Sequence, residues 1–205
     1  MASIPEQATV QATLQPYQDK LRWIIHTAWQ DWLNCPYRGQ FLYPRTRASM
    51  VWEWIVQHAE DVLAADPGID VIKRKREQTV WFLVDNQVLL RFKQGDEHGL
   101  SSNFPTQAAL AFHDPQVNLP GMPEVARVEV VYVLNFLKTA IASIQVVARN
   151  NNHIAWAYEI PDVKLSTSVV ELSITPARAT PPKQLVKLRQ PDEGQHHAIK
   201  PHSEE

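Results

Sequence analysis

Hydrophobic positions along this chain change period several times, and each change marks an element. Leu21, Ile24, Ile25, Ala28, Trp29, Trp32 and Leu33 recur at the i, i+3, i+4, i+7 spacing of one helical face. They predict a helix over 17–34, stopped by Asn34-Cys35-Pro36, because the residue before proline avoids the α region. Val51, Trp54, Ile55, His58 and Val62 predict a second helix over 46–65, ended by Asp66-Pro67-Gly68. A short turn-rich link joins the two, so an antiparallel pair is expected.

From Ile69 the period becomes two. Strands are expected over 69–75, 79–84 and 87–93, with Asp85-Asn86 as a tight hairpin turn. A polar loop follows, and then a short helix over 104–112 with Asn103 as its expected N-cap. A second strand set is expected over 126–134, 140–148 and 154–160, with Asn150-Asn151-Asn152 as a turn. An extended edge segment over 163–174 is a further expectation. The fold class is therefore α+β: two N-terminal helices on a mostly antiparallel sheet of about six strands, with one short helix between two three-strand meanders. Periodicity leaves open whether the meanders form one sheet or two.

The ends differ from the middle. Residues 1–15 are small, polar and Gln-rich and read as a flexible N-terminus, residues 16–174 as one domain. After Thr175 apolar content falls and prolines accumulate, so 175–205 reads as a disordered Pro-rich charged tail, with too little apolar surface to offset the entropy of ordering.

Composition narrows the function classes. The 205 residues are 44% hydrophobic and 20% charged, an ordinary globular balance. A formal net charge of −2 lacks the basic excess of a dedicated nucleic-acid binder. Cys35 is the one cysteine, which excludes a disulfide framework and fits a reducing compartment. No apolar run reaches the roughly 20 residues of a membrane span, and Met1 to Thr13 has no signal-peptide pattern, so a cytoplasmic location is expected.

Recognisable catalytic chemistry is sparse. There is no H-E-x-x-H and no C-x-x-C, and the histidines His196, His197 and His202 of the tail lack anything to orient them on a metal. No metal and no cofactor is therefore expected, and no catalytic residue is assigned. Cys35 reads as a packed helix-end cysteine. A helix followed by a hairpin whose second strand ends in Lys93 has the outline of a PD-(D/E)xK nuclease core, but Arg91 stands where that chemistry needs a metal-ligating acid.

Two charged groups remain. Lys73, Arg74, Lys75 and Arg76 form the sharpest basic run; on a strand it splits, with Lys73 and Lys75 facing one way and Arg74 and Arg76 the other. It reads as a phosphate-touching patch or as a solvated strand end. Arg91 and Lys93 share one strand face, and with Asn103, Thr106 and Gln107 near a helix start they form a candidate anion or partner patch. The bland alternative pairs Arg91 and Lys93 with Asp96 or Glu97. Among seven tryptophans, Trp23 and Trp52 lie off the main helical stripes and are candidate partner anchors.

Between residues 88 and 160 the chain resembles a known group. The resemblance rests on Arg91-Phe92-Lys93, on Ser102-Asn103-Phe104-Pro105-Thr106-Gln107 with Leu110 and Phe112, on Leu119-Pro120-Gly121, on Tyr132, Leu134 and Asn135, and on Trp156 and Tyr158. These strings resemble small bacterial proteins that occur beside XRE-type helix-turn-helix regulators and ImmA/IrrE-type metallopeptidases, in toxin–antitoxin or phage-defence-like neighbourhoods. The resemblance implies a protein-interacting component of such a module, an effector or toxin-like partner held in check by a neighbouring regulator. It implies no catalytic residues. The alternatives are a nucleic-acid-binding or nucleic-acid-acting protein using the basic residues, and an oligomerising adaptor or structural subunit built on the Trp-rich helices.

Overall fold

In the computed structural model, residues 4–75, 78–101 and 106–162 are described. The edge segment expected over 163–174, the tail with its three histidines, Arg76 and Asn103 lie outside them.

The N-terminal segment expected to be flexible instead forms helix α1, Gln7–Leu14. Val10 and Leu14 are both buried, at i and i+4. Two apolar contacts in eight residues give too weak a period to read from sequence, but they suffice once a core exists to receive them. Trp156 Nε1 also donates to the Pro5 carbonyl at 2.6 Å. Truncating Leu14 to alanine is expected to cost about 2–5 kcal/mol. Urea unfolding checks this, and a loss below about 1 kcal/mol would show that α1 contributes nothing to the core.

A 3₁₀ turn, Gln15–Tyr17, leads into α2, Gln18–Asn34, whose Leu21, Ile24, Ile25, Ala28, Trp29 and Trp32 are buried as the stripe predicts. Helix α3 spans Pro44–Leu63. It starts two residues before the expected position because Pro44 takes the first helical turn, where its missing N–H is harmless. Its buried line is Val51, Ile55, Val56, Ala59 and Leu63, rotated slightly from the predicted face. Trp54 and Val62 pack against the core edge. His58 instead meets Asp31 of α2 at 2.6 Å. That contact and the Lys20–Asp66 pair at 2.9 Å make α2 and α3 antiparallel.

The strands are β1 Ile69–Arg74, β2 Thr79–Val84, β3 Val88–Gly95, β4 Ala126–Leu134, β5 Ile141–Asn150 and β6 His153–Glu159. Asp85 and Asn86 both take positive φ, 48° and 54°, as a primed hairpin turn requires. The six strands form one sheet in sequence order, which resolves the choice between one sheet and two. Every pair is antiparallel except β3–β4. Parallel neighbours need a crossover, and the segment carrying helix α4, Gln107–His113, supplies it.

The crossover gives the sheet two covered faces. Phe82, Val84, Leu90, Phe92, Val130, Tyr132 and Val146 meet α1–α3 in the main core. Residues one position along, Trp81, Leu83 and Leu89, meet Phe112 of α4 and Leu119 in a second cluster. Arg91, Lys93 and Glu129 belong to this second face, by the strict alternation of strand side chains.

Candidate functional site

The site begins with a defect in strand pairing. β2 and β3 pair only at Phe82–Leu90, Leu83–Leu89 and Val84–Val88. Beyond that, Thr79, Val80 and Trp81 keep their register with β1, while Arg91 through Gly95 keep theirs with β4. The two strands therefore fan apart, and the gap between them is a cleft of about 410 Å³. That lies within the size range of small-molecule sites, roughly 300–1,000 Å³.

Helix α3, the two diverging strands and the start of α4 wall the cleft. One face of α3 contributes Arg45, Ala48, Ser49 and Trp52, at i, i+3, i+4 and i+7. The diverging strands contribute Thr79, Trp81, Arg91, Lys93 and Gln94, with Gln78 at the mouth; Thr106, Ala108 and Ala109 close it from the α4 side. Arg45, Arg91 and Lys93 are cationic, and no carboxylate is among the described lining residues. The indole Nε1–H of Trp81 is buried and has no hydrogen-bond partner among the described residues.

Beneath the cleft lies a buried ionic network. The parallel register sets Arg91 directly opposite Glu129. Arg91 donates to Glu129 Oε1 from Nε at 3.0 Å and from Nη2 at 2.7 Å, and both side chains are almost fully buried. Ser101 Oγ donates to Glu129 Oε2 at 2.6 Å. Arg149 of β5 lies 3.8 Å from the same oxygen and donates to Ser101 Oγ and its carbonyl at 3.0 and 3.1 Å. Arg91 also stacks 4.0 Å from the Phe112 ring centroid.

His113 completes the network. Its Nε2 lies 2.7 Å from Arg91 Nη2 and 3.0 Å from Glu129 Oε1. One nitrogen cannot accept from the first and donate to the second. Arg91 can only donate, so the closer contact makes Nε2 an acceptor, with the proton on Nδ1 of a neutral ring. Burial, the largest influence on His113, pulls its pKa down and agrees with this assignment.

Burial by itself would raise the Glu129 carboxyl. The charge and two hydrogen bonds of Arg91, with the bond from Ser101, outweigh it and hold Glu129 well below the usual carboxylate range. Glu129 is thus ionised. Two buried guanidiniums against one carboxylate leave the network with one positive charge in excess. Lys93 adds to that excess. Burial first, and then the nearby Arg91, push its pKa down to about 8. Its ammonium makes no hydrogen bond or ion pair among the described residues.

A tight loop delivers Ser101 to the network. Asp96 accepts from the His98 and Leu100 N–H groups, both at 2.9 Å. Gly99 turns at φ +79°, and Ser101 bridges back to Gly95. A Cβ on Gly95 would stand 2.5 Å from Val131 Cγ1 and 3.1 Å from the Gly99 backbone, so only glycine lets the loop lie this close. Asp96 is thereby committed to its own loop. The expected pairing of Arg91 or Lys93 with Asp96 or Glu97 is corrected: Glu129 is the partner of Arg91, and Glu97 lies on the surface 3.6 Å from His98.

The candidate residues separate as follows. Arg91, Lys93 and Thr106 come together at the cleft, and Trp52 joins them as a lining ring. The expected Asn103 cap is corrected: Thr106 is the N-cap of α4, with its Oγ1 accepting from the Ala109 N–H at 3.2 Å. Gln107 is exposed and lies outside the cleft lining. The basic run does not act as one patch. Lys73 pairs with Glu60 of α3 at 2.7 Å, while Arg74 donates to the Pro120 carbonyl on the opposite face and lies over the Trp81 ring. Lys75 is exposed in a turn. Trp23 is half exposed, edge-on to His58.

Glu129, His113, Arg149 and Arg45 were not singled out from sequence. A signal existed for Glu129, the one charge within the otherwise apolar stretch Val128 to Leu134. Comparison with protein-family models, with curated proteins and with solved structures finds no match. Among the described residues no cluster of three or more His, Cys, Asp or Glu side chains is placed to hold a metal, and no helix is long and apolar enough to cross a membrane.

Proposed function

We propose that this protein binds a small oxyanion, a phosphate-bearing ligand in the first instance, in the cleft between β2 and β3. One observation carries the reading: the split in the sheet opens a cleft lined by Arg45, Arg91 and Lys93, with no described carboxylate among its walls, over a network already in positive excess. An anion there would meet an unpartnered ammonium and a guanidinium fixed in place by Glu129. Charge-assisted hydrogen bonds of this kind contribute about 1.5–3 kcal/mol each. Isothermal titration with inorganic phosphate and pyrophosphate tests it. Saturable binding that weakens with salt and is about tenfold or more weaker in Lys93→Gln is expected; equal affinity in wild type and variant would end the reading.

The resemblance supports a second reading, a protein-interacting component of a toxin–antitoxin or phage-defence-like module. The observation favouring it is Trp23, 50% exposed on α2, since buried tryptophan anchors dominate many interfaces. Expression with and without an adjacent helix-turn-helix or metallopeptidase-type regulator tests it. No growth effect alone and no co-purification with the regulator would reject it. The two readings are compatible, because an effector of such a module needs a ligand or target of its own.

A further inference from the structure

We infer that the oxyanion held in the cleft belongs to a single-stranded nucleic acid, whose bases stack on the aromatic link between α2 and α3. The inference rests on the cleft reading above and names its ligand class.

The link is unusual for a surface segment. Tyr37, Phe41, Leu42 and Tyr43 are all exposed, at 61%, 36%, 83% and 65%. Each costs free energy in water, and a surface this apolar within seven residues points to something that covers it. Three of the four are aromatic rings. Phe41 is braced against Trp32, with centroids 6.0 Å apart, so that ring is held in place.

The charge around the rings selects the occupant. From Cys35 through Trp52 the chain carries Arg38, Arg45 and Arg47 and no acidic residue, although the protein as a whole is net negative. Aromatic rings interleaved with guanidiniums make the surface that single strands use, because every base has a π-face and every nucleotide a phosphate. A duplex keeps its bases stacked inside and offers the rings nothing.

The link is also continuous with the cleft. Arg45 lies 5.9 Å over the Tyr43 ring and itself lines the cleft, so ring and phosphate sites share a residue. Trp52 lies further along the same helical face. A strand with one phosphate near Arg45 and Lys93 would place its adjoining bases over Tyr43 and the rest of the link. The bulk charge of −2 does not oppose this, since attraction to phosphate depends on the local field within about a Debye length.

Fluorescence anisotropy on the full chain tests the inference, using a labelled single-stranded oligonucleotide, its duplex form, and inorganic phosphate as competitor. The expected result is salt-dependent binding of the single strand, at least about tenfold tighter than the duplex. Tyr37→Ser with Tyr43→Ser, both exposed and therefore safe for folding, should weaken the oligonucleotide about tenfold or more while phosphate binding persists. Lys93→Gln should weaken both. Phosphate binding with no oligonucleotide binding, or an oligonucleotide affinity indifferent to the two tyrosines, would overturn the inference and leave the cleft reading standing. No binding of either probe would remove both. Release of the tyrosine dependence to a co-purifying acidic protein would assign the link to a protein partner and also overturn it.

Discussion

Replacing Glu129 with leucine is expected to destabilise the fold by about 3–5 kcal/mol, the cost of stranding buried charges by removing their partner. Arg91 is almost completely enclosed, and both its shortest polar contacts in the network other than His113 end on Glu129. Arg149 would lose the same counter-charge. The double variant Arg91→Met, Glu129→Leu removes one charge with its partner and should recover a substantial part of the loss, because apolar replacement of a buried pair is often nearly neutral. Urea unfolding of the three proteins checks this. A single variant within about 1 kcal/mol of wild type would mean that the network is not a structural unit.

The same network predicts acid sensitivity in two stages. His113 has a lowered folded pKa, so the unfolded chain takes up its proton first as pH falls below about 6.5, and stability begins to drop there. Glu129 has a lowered folded pKa as well. Its contribution is fully present above about pH 4.5 and is lost as pH falls below that value. Both groups push in one direction, so the Glu129→Leu variant should show a visibly shallower acid limb than wild type.

Anion affinity is expected to fall as pH rises past about 8, and Lys93→Gln should both weaken binding about tenfold or more and abolish that slope. Lys93 is the group that changes charge in the cleft over this range. Burial and Arg91 lower its pKa, so the free protein loses the ammonium early; a bound anion would restore it, and binding above pH 8 should take up a proton. Sulfate is the best probe, since its own charge is constant there. Titration in two buffers of different ionisation enthalpy reads the proton directly. For folding the sign is opposite to that of an ion-paired lysine: the unfolded chain keeps the proton that the folded one has shed between about 8 and 10.5, so the unliganded protein gains stability as pH rises through that window. A pH-independent affinity would show that Lys93 does not touch the anion.

Wherever period is the signal, the elements were legible in the chain itself. The α2 stripe, the exact extents of β2 and β4, and the positive-φ turn at Asp85-Asn86 all depend on neighbours within a few residues, and local sterics and side-chain alternation enforce them. The pairing of Arg91 and Lys93 on one strand face was equally legible, because alternation alone fixes it.

What the tertiary structure decided is everything that depends on which strand lies beside which. Helix α1 forms because Val10 and Leu14 find a core built from residues far along the chain. Glu129 is the partner of Arg91, in place of nearby Asp96, because a parallel register joins β3 to β4 across a crossover, 38 positions apart in sequence. The cleft itself arises from two strands that leave a shared hairpin for different outer neighbours, which brings Arg45 and Trp52 to Lys93. Composition and periodicity report the preferences of single residues and short windows; register and strand divergence are properties of pairs distant in the chain, fixed only when the whole sheet and its two covered faces form together.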